Sequence, residues 1–294
     1  MQRHKLPVIL NASAGRYSGN SRDIALLFSQ YGYDVEIHVV PAGKIQPTAE
    51  NLSSRFPRIV VGGGDGSVGA AAAALVGTQT ELAILPIGTL NHFARDLGIP
   101  RALPDAVRVA VSGSVAQVDT AEVNGKIFVN NSSLGVYPRW VRNRRVQREV
   151  LGRGRWRTLF RALLAVFRRF PSIRVLIQTP NRVFDLKTAF LFVGNNEYQT
   201  GPSLGRRARL DSEILQLQVG RSSGRFALLK NFMRALTGTL RGSADFDFLL
   251  AKELWIFTAR KRVHVALDGE VVYLKQPLHY CVRPRSLRVL RDIA

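Results

Sequence analysis

The chain has 294 residues, of which 46% are hydrophobic and 21% charged. That is enough for two domains with buried cores, and it excludes wholesale disorder. Lys and Arg number 42 against 21 Asp and Glu, a net charge of +21, so partners are expected among anions: nucleic acid, an anionic membrane or phosphorylated small molecules. The lone cysteine, Cys281, excludes an internal disulfide framework and fits a reducing compartment. No apolar run approaches the roughly 18 residues that cross a bilayer, so the expected location is cytoplasmic.

In chain order, Leu6–Leu10 is a short apolar run that reads as a buried strand, and Asn11–Asn20 is a Gly-, Ser- and Asn-rich loop. Ser21–Gln30 carries Ile24, Leu27 and Phe28 at helical spacing, with Gly32 as a stop. Tyr33–Val40 reads as a strand, Thr48–Phe56 as a weak helix, and Pro57–Val61 as a buried strand running into Gly62-Gly63-Gly64. An alanine-rich helix over Ala70–Val76, a strand over Leu82–Leu85 and a helix from about Leu90 to Leu97 follow. Strand, loop and helix repeated in this way predict an α/β domain with a parallel sheet.

Near residue 115 turns and β-rich runs take over. Asn124-Gly125 between VDTAEV and KIFVNN is a hairpin signal. Ser172–Gln178, Phe184–Val193, Ile214–Val219, Asp245–Phe257, Val263–Leu267 and Val271–Leu274 read as strands, with Asp268-Gly269 as another hairpin turn. Helical patterns cover roughly Arg139–Phe170 and Arg225–Leu240. The expected organisation is an α/β domain over 1–119 and an antiparallel, β-rich, sandwich-like domain over 120–294.

Three loops carry the chemistry. Each follows a predicted strand and precedes a helix, which is the ligand edge of an open α/β sheet. The first is Asn11-Ala12-Ser13-Ala14-Gly15, the second Gly62-Gly63-Gly64-Asp65-Gly66-Ser67, and the third Pro86-Ile87-Gly88-Thr89-Leu90-Asn91. Consecutive glycines let the backbone approach a ligand closely, and a helix starting near Ser67 would add its positive end, so the second loop reads as a phosphate cradle. Asp65 would repel phosphate unless a cation such as Mg²⁺ lay between them. The plainer alternatives are that Asp65 and Thr89 merely cap the helices that follow them.

At these residues the sequence resembles the diacylglycerol kinase catalytic-domain family of lipid kinases, which also includes sphingosine kinases and bacterial relatives. NASAG resembles the family's N-P-x-S-G loop, GGDGS its G-G-D-G-T loop, and LPIGTLNHFARDLGIP its P-x-G-T-x-N-D-F-A-R segment. NNSSLG at Asn130–Gly135, Asn195-Asn196 with Arg209-Leu210-Asp211, and Asp268-Gly269-Glu270 resemble its later signatures. The G-G-D-G motif alone is shared with NAD kinases and phosphofructokinases. The resemblance implies ATP and Mg²⁺ as cofactors and a lipid hydroxyl as acceptor. Nucleotide contacts would fall on Asn11, Ala12, Ser13, Ala14, Gly15, Gly63, Gly64, Asp65, Gly66, Ser67, Val68, Gly69, Gly88, Thr89 and Asn91. Asp65 would approach the metal-bound phosphates and Glu270 would act as the base.

The chain departs from the family pattern in three acidic positions. Val68-Gly69-Ala70-Ala71 lacks the Glu expected after the second loop, His92 stands for an Asp, and Ser212 stands for the carboxylate of a second, structural metal site. A second metal is then either absent or held by Asp211 or Glu213. Alternative readings are an NAD-kinase-like soluble kinase and a decayed kinase fold that binds membrane or nucleic acid.

Between Arg139 and Arg169 arginines crowd one stretch against a single acid, Glu149, while Trp156, Leu159, Phe160, Leu163, Leu164 and Phe167 keep helical spacing. This is an amphipathic helix with a basic face. It either docks on the second domain or lies on an anionic membrane, and a lipid acceptor favours the membrane at the inner face. No nucleic-acid motif, zinc spacing or G-x-S-x-G nucleophile is present, and oligomeric state is not encoded legibly.

Overall fold

The computed structural model describes residues 4–13, 21–135, 172–188, 190–199, 205–220 and 246–292. The chain divides into two compact units: residues 1–130 with 206–213 and 282–294, and residues 131–205 with 214–281. The helical readings at Arg139–Phe170 and Arg225–Leu240, and Ala14 and Gly15 of the first loop, lie outside the described residues.

In the first unit β1 (His4–Asn11), β2 (Tyr33–Val40), β3 (Arg58–Gly63) and β4 (Glu81–Pro86) form a parallel sheet in the order β2-β1-β3-β4. The parallel expectation is met, and the reason is visible in burial. Val8, Ile9, Leu10, Ile59, Val60, Val61 and Leu82 to Leu85 are all buried, as strands covered on both faces must be. Helices α1 (Ser21–Gln30), α2 (Ile45–Ser53), α3 (Asp65–Leu75), α4 (His92–Asp96) and α5 (Leu103–Ser112) connect and cover them, α1 packing against α5 and α2 against α3. The chain steps from β1 outward to β2 and then returns across β1 to β3. The switch point of this doubly wound sheet therefore lies between β1 and β3.

Several sequence-based boundaries shift. The alanine-rich helix begins at Asp65, not near Ser67 or Ala70, because small residues and glycine let the chain turn directly out of β3. Helix α2 starts three residues before Thr48, with Pro47 tolerated in its first turn. The residue-119 boundary falls inside β5 (Ser114–Val123), which pairs through the Asn124-Gly125 turn with β6 (Lys126–Phe128), and β6 packs on α3. Both turn residues have positive φ, 47° and 79°, as a two-residue hairpin requires.

The second unit is antiparallel, as expected. One of its sheets contains β7 (Asn131–Gly135), β10 (Phe190–Asn195), β11 (Leu215–Gly220), β12 (Phe246–Ala251), β14 (Arg262–Leu267) and β15 (Glu270–Lys275), in the order β12-β11-β10-β7-β14-β15. The other pairs β8 (Ile173–Gln178) with β9 (Val183–Thr188), β8 with β13 (Glu253–Thr258), and β13 with the start of β16 (Leu278–Arg291). The rest of β16 belongs to the first unit, where Val289 pairs with Leu82 of β4. The runs read as single strands over Phe184–Val193 and Asp245–Phe257 are each two strands. Strands β9 and β10 lie in different sheets, as do β12 and β13, and no glycine or proline separates either pair in the sequence.

Tyr280 of β16 is fully buried and its hydroxyl meets Ser132 of β7 at 2.9 Å, joining the two sheets. Burial pushes the phenol far above its usual range, outweighing the Ser132 hydrogen bond. The folded chain thus keeps a proton that the unfolded chain releases above pH about 10. The associated stability is whole below that pH and is lost as pH rises. Urea midpoints measured from pH 8 to 11 should fall more steeply for the wild type than for Tyr280→Phe.

Candidate nucleotide site

The three loops meet on the carboxyl edge of the parallel sheet, following the neighbouring strands β1, β3 and β4. Across the switch point, Asn11 Nδ2 donates to Ser67 Oγ at 2.8 Å, while Asn11 Oδ1 accepts the Ser13 amide at 2.9 Å. Asn11 therefore both shapes its own loop and ties it to the second. The second and third loops touch backbone to backbone: the Gly88 amide donates to the Gly63 carbonyl at 3.2 Å. A Cβ on Gly88 would lie 2.3 Å from Gly64 Cα, and one on Gly63 would lie 2.4 Å from Ser67 Cβ. Gly88→Ala pits a methyl group against main chain that cannot retreat. It should cost about 1–3 kcal/mol in urea unfolding and weaken nucleotide binding measured on the same sample.

Inside the third loop Asn91 acts as a staple. It has left-handed backbone, φ 55°; its amide donates to the carbonyls of Pro86 and Gly88, both at 2.9 Å, and its Oδ1 accepts the Gly88 amide at 3.1 Å. Asn91, not Thr89, occupies the N-cap position of α4, which corrects the capping reading of Thr89; the Thr89 side chain is exposed.

The candidate cradle is narrower than the sequence suggests. The amides of Ser67 and Val68 both return to the Gly64 carbonyl, at 2.9 and 3.0 Å. The Val68 side chain is buried in the core, and Gly69 is buried in the helix. The amides of Asp65 and Gly66, first and second in α3, have no intrahelical acceptor and are the ones available to an anion.

Asp65 does not cap its own helix either. Its Oδ1 accepts the amide of Phe93 in α4 at 3.1 Å and Nδ2 of Asn130 at 3.2 Å. Both donors fall on one oxygen, which leaves Oδ2 for other chemistry. Among the described residues no cluster of three or more His, Cys, Asp or Glu could hold a metal ion unaided. A magnesium ion here would need a ligand's phosphate oxygens beside Asp65, the mixed set that Mg²⁺ prefers. Asp211, the other candidate ligand, instead pairs with Arg209 at 3.0 and 3.3 Å, and that guanidinium holds its carboxyl below the usual range.

Sequence reasoning missed Arg207. Its guanidinium is completely buried and bonds Asp96 Oδ2 at 2.8 Å, the Val129 carbonyl at 2.6 Å and Asn130 Oδ1 at 2.9 Å. Buried Asp119 fixes the rest of this segment: its amide donates to the Leu210 carbonyl at 2.7 Å, and its carboxylate accepts the amides of Glu213 at 2.7 Å and Arg285 at 2.8 Å.

Within the second unit Glu270 is the first residue of β15 and is exposed. The turn before it has φ 45° at Asp268 and 86° at Gly269. Asp268 exchanges two hydrogen bonds with the main chain of Asn131, both 3.0 Å, so the turn is fixed to β7.

Residues 5–123 match the diacylglycerol kinase catalytic domain family. A Pseudomonas aeruginosa protein named probable lipid kinase YegS-like is 28% identical over 98% of this chain and 95% of its own length. A Klebsiella pneumoniae protein of the same name is 34% identical over 44% of each chain. Among solved structures, a diacylglycerol kinase from Bacillus anthracis superposes with TM-score 0.70 at 20% identity, covering 100% of this chain and 98% of that one. At that identity the likeness is one of fold.

Proposed function

We propose that the chain, whose residues 5–123 match the diacylglycerol kinase catalytic domain family, is a lipid kinase that transfers the γ-phosphate of ATP to a lipid hydroxyl. The observation that carries this reading is the convergence of three polar loops on one sheet edge, with Asp65 at the start of α3 beside two helix amides that have no intrahelical acceptor. Phosphoryl transfer asks for phosphate positioning, charge neutralisation and an acceptor for one proton. The amides of Asp65 and Gly66 and the Asn11–Ser67 tie serve the first need. Asp65 Oδ2 would hold Mg²⁺, which when bound supplies charge neutralisation on the phosphates. Glu270 is assigned the third role: as the lipid oxygen bonds to the γ-phosphorus and the bond to the β-phosphate oxygen breaks, the hydroxyl proton passes to its carboxylate and ADP leaves.

The net charge of +21 and the basic, apolar-striped Arg139–Phe170 segment support peripheral attachment to an anionic leaflet as part of the same proposal. No helix among the described residues is long and apolar enough to cross a membrane. Vesicles of anionic phospholipid should co-sediment with the protein at low salt and release it at about 0.5 M salt, where the Debye length has shrunk well below 10 Å. Neutral vesicles should not retain it.

Radiolabelled Mg-ATP offered with a panel of diacylglycerols, sphingoid bases and other hydroxylated lipids in mixed micelles tests the reaction. Label in an organic-extractable phospholipid is the expected result. Label in NAD offered in a parallel reaction, and in no lipid, would assign a soluble nucleotide kinase instead. ATP binding without transfer to any of them would indicate a decayed kinase.

A further inference from the structure

Asp65 depends on two donors, and one buried side chain holds both. The first donor is the Phe93 amide; the Arg207 guanidinium lies 5.6 Å from the centre of the Phe93 ring and pairs with Asp96, three residues along the same short helix. The second is Asn130 Nδ2, whose amide oxygen accepts Arg207 Nη2 at 2.9 Å. A guanidinium can only donate, so it forces the oxygen end of the Asn130 amide towards itself and the NH₂ end towards Asp65. Without it the amide could turn over and set its oxygen against the carboxylate. Asp96 and Asn130 are buried with it, the Asp96 and Arg207 side chains at 1% and 0% exposure.

We propose that Arg207 is a positioning residue of the phosphoryl-transfer site: it orients Asn130 and Phe93 so that both donors converge on Asp65 Oδ1 and Oδ2 is left for the cation. The inference rests on the nucleotide-site reading above and adds to it a residue 142 positions away in the chain, two residues before the Arg209-Leu210-Asp211 run. Arg207 touches neither ATP nor metal in this role. It acts through two other residues, as supporting hydrogen bonds do when they fix a ligand's orientation.

Removing Arg207 alone would strand the Asp96 carboxylate in the interior, which by itself destabilises a fold strongly. The test therefore replaces the pair, Asp96→Leu with Arg207→Met, leaving an apolar contact of similar volume. Two readouts are needed. The first is free of nucleotide: solvent exchange of the Asn130 side-chain amide protons, followed by NMR and assigned by their disappearance in Asn130→Leu. Exchange in the paired variant is expected to be at least tenfold faster than in the wild type, although the backbone amides of β3 and β4 keep their protection. The second is calorimetric binding of ATP with and without magnesium. The paired variant should bind Mg-ATP about tenfold more weakly, bind ATP in EDTA as the wild type does, and add nothing to the loss caused by Asp65→Asn. Unchanged amide exchange together with unchanged Mg-ATP affinity would overturn the proposal, as would equal weakening with and without magnesium, which marks a role in general stability. A wild type that binds no Mg-ATP at all would overturn the nucleotide-site reading and this proposal's catalytic meaning with it. Amide exchange would still decide the orienting role.

Discussion

Asp65→Asn is expected to lower lipid phosphorylation by about 10²–10³-fold, the usual cost of deleting one preorganised electrostatic group from a reacting site, while leaving the fold intact. The substitution separates charge from shape. Asparagine can still accept the Phe93 amide and the Asn130 NH₂ through its side-chain oxygen, at the places where Asp65 Oδ1 accepts them at 3.1 and 3.2 Å. With two donors fixing that oxygen, the new NH₂ group must occupy the position of Oδ2. It then offers hydrogen where the proposed cation needs a negative oxygen. Thermal unfolding should move by only a few degrees, within the spread of a surface substitution. Mg-ATP affinity should fall, and ATP in EDTA should bind as well as before or better, because one negative charge has left the neighbourhood of the phosphates. A variant with wild-type turnover would remove Asp65 from the reaction.

The parts of this site legible in the sequence were those written in local backbone chemistry. Gly62-Gly63-Gly64, Gly88 and Asn11 announce themselves because a strand that ends in glycine or asparagine before a helix has few other reasons to do so, and the structure gives Gly62, Gly63, Gly88 and Asn11 contacts that only a small or amide-bearing residue can make. The identity of the capping partners was not legible. Asp65 looked like the cap of its own helix, yet it serves α4, 28 residues on, and Thr89 yielded the N-cap position of that helix to Asn91. Arg207 lies just before the Arg209-Leu210-Asp211 signature, and nothing in GRRARLDSE distinguishes it from the arginines on either side. Its importance comes from long-range pairing with Asp96 and Asn130, which no periodicity encodes.

The fold divides in the same way. The parallel strands were readable as apolar runs buried on both faces. Strand β16 was not, because Arg283, Pro284, Arg285 and Ser286 interrupt it and Arg285 takes a left-handed φ of 46°. Helix α5 is less legible, although Leu103, Ala106, Val107 and Ala110 keep helical spacing and Pro104 sits in its first turn. Its valines favour a strand reading, and packing against β4 and α1 overrides that preference.

Glu270→Gln should have the largest effect on turnover, about 10²–10⁴-fold if its carboxylate takes the acceptor's proton. Unlike Asp65, Glu270 is exposed and is held through its backbone: it opens β15 directly after a turn whose Asp268 is hydrogen-bonded to Asn131 on both its amide and its carboxylate. Glutamine keeps the length and the strand register with Leu267, so stability should be unaltered and Mg-ATP should bind within about twofold of the wild type, since Glu270 is assigned no contact with the nucleotide. What glutamine cannot do is accept a proton. The loss should therefore appear in kcat with little change in KM for ATP, the pattern of an interaction made only on the way to the transition state. Slow ATP hydrolysis in the absence of lipid separates the roles further. If the base serves only the lipid hydroxyl, that background rate survives in Glu270→Gln and is lost in Asp65→Asn. Equal loss of both rates in both variants would instead place Glu270 among the groups that hold the nucleotide, and the general-base assignment would have to move to another residue.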